Sequence, residues 1–133
     1  MIDQYSVFGR PMTKPQKPTA QTQRIVEQAC QSLILDLKAR LPPIPEEQIG
    51  NHLIDFYGKW YRNQYHIYMT YQCPPTSLEK TFDSGFARLG WTGRDTFILY
   101  SYMAHRNKWE AFYENIPLAE AIIRIKESDF FSF

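Results

Sequence analysis

Cysteine is scarce in this chain, with Cys30 and Cys73 the only two, far apart and in no CxxC pair. A cysteine-rich disulfide scaffold and a cysteine-based zinc site are thereby excluded. The three histidines, His52, His66 and His105, form neither HxxxH nor HxH, so no metal-ligand spacing is present and no metal or cofactor is expected. The six glycines never form GxGxxG or a P-loop, and no GxSxG occurs. Cys73 is followed by Pro74 and Pro75, and proline has no N–H to donate to an oxyanion, so a cysteine nucleophile lacks its usual support there. The one acidic-x-Lys unit, Asp36-Leu37-Lys38, sits in a predicted helix rather than at a strand end, which disfavours metal-dependent nuclease chemistry. Neither sign of charge dominates, the net charge being +1, so there is no bulk pull toward nucleic acid or acidic membrane. No apolar run is long enough to span a bilayer, and the polar stretch from Met1 to Gln23 does not read as an export signal. A cytoplasmic chain with reduced thiols is expected.

Aromatics, by contrast, are abundant at 16% of the 133 residues, most of them after Tyr57. That share excludes wholesale disorder for this part of the chain, and the length suits one domain with a real core. The organising stretch runs from Phe82 to Tyr113. It reads as three extended segments joined by sharp turns. Thr81–Trp91 is followed by a turn around Gly93, where φ > 0 costs nothing. Thr96–Met103 is β-branched and aromatic, apolar on both parities, as suits a strand covered on both faces. After Ala104–Asn107, the alternation of Lys108–Glu114 predicts a half-buried strand. Its Trp109, Ala111 and Tyr113 share one face, and Lys108, Glu110 and Glu114 share the other, with Phe112.

Upstream, Val26, Ala29, Cys30, Leu33, Ile34, Leu37 and Leu41 recur at three- and four-residue spacing, predicting a helix over Thr22–Leu41 capped by Thr19 or Thr22. Pro42 and Pro43 end it. His52–Tyr57 and Asn63–Gln72 read as a hairpin, with Gly58–Arg62 as its connection. Downstream, Pro117 opens a final helix over Leu118–Lys126 with Asn115 nearby as cap, and an aromatic tail, Phe130–Phe133, follows. The expected architecture is α+β, an antiparallel β-meander of about five strands with an N-terminal and a C-terminal helix packed on the sheet. Residues 1–19 form a proline-containing arm, from which Tyr5, Val7 and Phe8 are able to dock, and residues 20–133 the single domain.

This layout resembles a small bacterial family known only as a domain of unknown function, the 3024 family. The resemblance runs from about His52 to Phe133. It rests on the strand Phe97-Ile98-Leu99-Tyr100, then Lys108-Trp109 leading to Tyr113 and Pro117, then Asp129-Phe130-Phe131. The aromatic after Trp109 is displaced from the family's spacing, and the Glu and Arg of its second strand are not evident near Met69–Gln72. The resemblance implies the same fold and no assigned activity.

Three functional readings stay open. The first is a non-catalytic protein-interaction module, with self-association as one version, using the aromatic hairpin, the sheet edge and the tail with Phe131. The second is single-stranded nucleic-acid binding, with Trp60 and Tyr61 stacking on bases and Lys59, Arg62, Arg106 and Lys108 tracking phosphate. The third is a small enzyme with a cleft at His52, Asp55 and His66, the two histidines facing each other across the hairpin.

Overall fold

The computed structural model of the protein describes residues 14–127. The expectations for Tyr5, Val7, Phe8 and the Phe130–Phe133 tail lie outside the described residues. Helix α1 spans Ala20–Ala39, beginning two residues before the apolar stripe suggests. Thr19 is its N-cap, the Oγ1 accepting from the Thr22 amide at 3.1 Å. Five strands follow: β1 (His52–Tyr61), β2 (Gln64–Gln72), β3 (Thr81–Trp91), β4 (Phe97–Met103) and β5 (Lys108–Ile116). They form one antiparallel sheet in the order β1-β2-β3-β4-β5, leaving β1 and β5 at its edges. Helix α2 spans Leu118–Glu127, and the fold is α+β.

The first hairpin is tighter than its sequence suggests. Strand β1 continues through Gly58, Lys59 and Trp60 to Tyr61, and the turn is Arg62-Asn63 alone. Both turn residues have positive φ, 49° and 67°, the geometry of a two-residue primed turn whose twist matches the strands. Gly58 is therefore not a break. A Cβ there would lie 2.1 Å from the Tyr65 hydroxyl oxygen, so the glycine makes room for a buried ring from the partner strand.

Both helices cover one face of the sheet. The core between them contains Val26, Cys30, Leu33 and Leu37 of α1, Ala121 and Ile125 of α2, and Phe56, Tyr65, Ile67, Phe86, Leu89 and Leu99 of the strands. The helices are also latched to each other: Lys126 Nζ lies 2.7 Å from Asp36 Oδ2, and Arg40 Nη1 donates to the Lys126 carbonyl at 3.0 Å. Just ahead of α1, the Gln16 amide donates to the Trp91 carbonyl at 2.6 Å, and Pro18 is buried.

Strand β5 departs from simple alternation. Its register with β4 slips twice, Leu99 facing Tyr113 but Tyr100 facing Ala111. The slip moves Tyr113 to the helix side, where it packs on the main core, and leaves Trp109 and Ala111 on the opposite face. Trp109 is thus not a residue of the helix-side core; it is half-buried against Ile98, Tyr100 and Ala111. Nor are Glu110 and Glu114 solvated, being 9% and 8% exposed.

Candidate functional site

The second face of the sheet carries none of the described helices, and the register assembles its side chains into rows. One row runs Lys59, His66, Arg88, Tyr100 and Ala111 across all five strands. The next contains Tyr57, Tyr68 and Gly85, with Tyr102 opposite Trp109 beyond. Gly85 is where the Trp109 ring lies down on the sheet: a Cβ there would be 2.6 Å from Trp109 Cζ2. Residues of like row are cross-strand neighbours, about 5 Å apart.

The rings lock one another in place. His66 stacks on Tyr68 with centroids 5.7 Å apart and planes 7° from parallel, and meets Tyr61 and Trp109 edge-on at 5.7 and 5.5 Å. Tyr57 stacks on Tyr68 at 5.3 Å. Tyr57 also donates to Asp83 at 2.6 Å, which pushes its phenol up to about 12, and Thr70 donates to the other Asp83 oxygen at 2.9 Å. Arg88 lies at the centre, its guanidinium 3.9 Å from the Tyr100 ring centroid and 5.2 Å from that of Trp109. Its Nε is buried and makes no hydrogen bond, and among the described residues no carboxylate is within ion-pair distance of it. Burial pulls the guanidinium below its ordinary value and pulls the His66 imidazole down likewise, with the charges of Arg88 and Lys59 adding to the effect on His66. Of these side chains His66 and Tyr100 are buried, Tyr57, Tyr68 and Trp109 half-buried, and Tyr61 is 48% exposed with the exposed Lys59 on the same strand.

The residues singled out from sequence are divided by this geometry. Lys59, Tyr61 and Arg62 stay together at the β1–β2 turn, with Arg62 5.3 Å from the Tyr61 ring and Lys59 5.8 Å from that of Tyr68. Trp60 alternates to the other face, where its Nε1 donates to Glu27 of α1 at 2.7 Å. Arg106 and Lys108 sit at the opposite end of the sheet, both ion-paired to Glu110, at 2.6 and 3.6 Å. Phe131 lies outside the described residues. Tyr68, Arg88, Tyr102 and Trp109 were not candidates from sequence, and His66 was one only for the enzyme cleft. The alternation of Tyr65–Tyr71 did mark His66 and Tyr68 as one face of a strand; nothing in the chain linked them to Arg88.

The enzyme constellation does not assemble. His52 pairs with Gln72 at one end of the hairpin and His66 with Lys59 near the other, seven residues along the strand, roughly 23 Å. Asp55 instead pairs with Lys38 of α1 at 3.3 Å. A groove of about 380 Å³ between α1 and β1 is lined by Phe56, Gly58 and Tyr65 but by neither histidine. Among the described residues no three His, Cys, Asp or Glu side chains gather to hold a metal ion, and no helix is long and apolar enough to cross a membrane.

Compared with known proteins, residues 14–132 match the family model described as Domain of unknown function (DUF3024), well beyond the His52–Phe133 span of the resemblance in sequence. No curated protein and no solved structure matches the chain.

Proposed function

The chain belongs to the DUF3024 family, and we propose that it is a non-catalytic protein-binding module whose contact surface is the helix-free face of the sheet. One observation carries this reading: that face joins Tyr57, Tyr61, Tyr68, Tyr102, Trp109 and Arg88 into a continuous, partly exposed patch. Tyrosine, tryptophan and arginine are the residue types that dominate binding energy at protein interfaces. The rings are already stacked on one another, so little side-chain freedom is left to lose on association. A chain with a net charge of +1 and no dominant basic field suits a protein partner.

A second reading, single-stranded nucleic acid on the same face, draws on Lys59 and Arg62 standing beside the Tyr68 and Tyr61 rings. It requires affinity that falls steeply with salt.

A photo-crosslinking amino acid placed at Tyr61, and separately at exposed Leu35 on α1, tests the choice in cells. The module reading predicts one recurrent protein adduct, a second copy of the chain included, from position 61 and none in common from position 35. Nuclease-sensitive adducts at 61 would transfer support to the second reading, and identical adducts at both positions would remove support from this face.

A further inference from the structure

We propose that the row Lys59–His66–Arg88 on the helix-free face receives the carboxylate of an acidic peptide segment of the partner. This inference rests on the protein-binding reading and names the chemistry of its ligand. The register sets the three groups side by side on β1, β2 and β3, with His66 one strand separation from each of the cations Lys59 and Arg88. Positive groups so close repel one another, and His66 registers that repulsion from both neighbours. Arg88 is the centre of the site. It is held by the Tyr100 and Trp109 rings rather than by an acid, and its buried Nε has no acceptor. A guanidinium presents two N–H groups in a fork that matches a carboxylate, and a half-buried one without a counter-charge, as Arg88 is, gains from acquiring it.

The charge map selects a short acidic group over a polyanion. Beyond the row, Arg62 stands at the β1–β2 turn beside Tyr61. On one side of the row lies Asp83, tied to Tyr57 and Thr70; on the other Glu114 acts on the Tyr100 hydroxyl. A nucleic-acid strand brings a phosphate with every nucleotide and would run onto one of these carboxylates. A single Asp or Glu flanked by apolar residues would set its charge on the row and its neighbours on the Tyr61, Tyr68 and Trp109 rings.

The test is selection of the full chain against a random-peptide display library, with a labelled twelve-residue oligothymidylate as a parallel probe. Enriched peptides should share an Asp or Glu beside aromatic or aliphatic residues. Their affinity should fall on the order of 30-fold with Arg88→Met and several-fold with Lys59→Met, an exposed position at which folding is not at stake. Bound peptide should also raise the His66 titration midpoint seen by NMR, which a purely structural role for the row would not do. Enriched peptides without an acidic residue would overturn this inference and leave the protein-binding reading standing. No enrichment at all, or oligothymidylate retained more tightly than any peptide, would overturn both.

Discussion

Gly58→Ala gives a prediction whose sign separates this structure from the ordinary expectation. A glycine inside a strand costs about 0.5–1 kcal/mol against alanine, because more backbone freedom is lost on folding. On that ground alone the substitution should stabilise. Here the new Cβ would meet the Tyr65 ring at 2.1 Å from Oη, 2.6 Å from Cζ and 2.8 Å from Cε2. The ring is 6% exposed and is held edge-on by Trp60 at 5.3 Å, so it has no free path away. Forced overpacking of this kind costs about 1–3 kcal/mol, and the net effect, after the backbone gain, should be destabilisation by about 1 kcal/mol. Urea unfolding followed by circular dichroism measures it. Tyr65→Leu removes all three clashing atoms, so in that background Gly58→Ala should become neutral or stabilising, a coupling of about 2 kcal/mol in the double-mutant cycle. A Gly58→Ala protein as stable as the parent, or one destabilised equally in both backgrounds, would refute the packing described for this hairpin.

Three further outcomes follow from the same geometry. Burial, reinforced by Arg88 and Lys59, holds the folded His66 below its ordinary value of 6.5, so in acid the unfolded chain takes up a proton that the folded one refuses. Stability should be full above about pH 6.5, fall as the pH drops below it and level off once the folded ring protonates; His66→Gln should flatten that slope in urea titrations across pH. Burial pushes the Cys30 thiol up to about 12, so in a Cys73→Ser background it should react with Ellman's reagent at pH 8 only after denaturant is added, and prompt reaction in native buffer would contradict its burial. Gly85→Ala should lift Trp109 off the sheet, because the added methyl would sit 2.6 Å from the indole; a red-shifted tryptophan emission reads this, and an unchanged spectrum would count against the arrangement.

The sequence made the secondary structure far more legible than the site. The α1 stripe shows because Val26, Cys30, Leu33 and Leu37 repeat at the helical period, and the β3–β4 boundary shows because Gly93 adopts a φ of 92° at the turn. The end of β1 was hidden because its turn, Arg62-Asn63, uses positive φ without a glycine, while Gly58 looks like a break and is a packing residue. The faces of β5 were hidden because a register slip leaves no mark in the alternation of side chains. The row Lys59–His66–Arg88 could not be read at all. Its members come from three strands, and only the hydrogen-bond register, with the bulge between Ile67 and Tyr68, brings Arg88 beside His66. The hairpin cations drew attention because they are adjacent in sequence. Adjacency in a strand places neighbours on opposite faces, which is why Trp60 leaves Lys59 and Tyr61.

The most direct test of a binding surface on the helix-free face is the affinity of the protein partner crosslinked at position 61 for two single variants, Tyr61→Ala and Leu35→Ala. Both side chains are well exposed, 48% and 62%, so both variants should fold as the parent does, and they lie on different sides of the sheet. Measured by calorimetry, Tyr61→Ala should weaken binding at least about tenfold, as loss of an aromatic anchor does, and Leu35→Ala should leave it unchanged. Full affinity in Tyr61→Ala together with loss in Leu35→Ala would contradict the account and move the partner to the helical side.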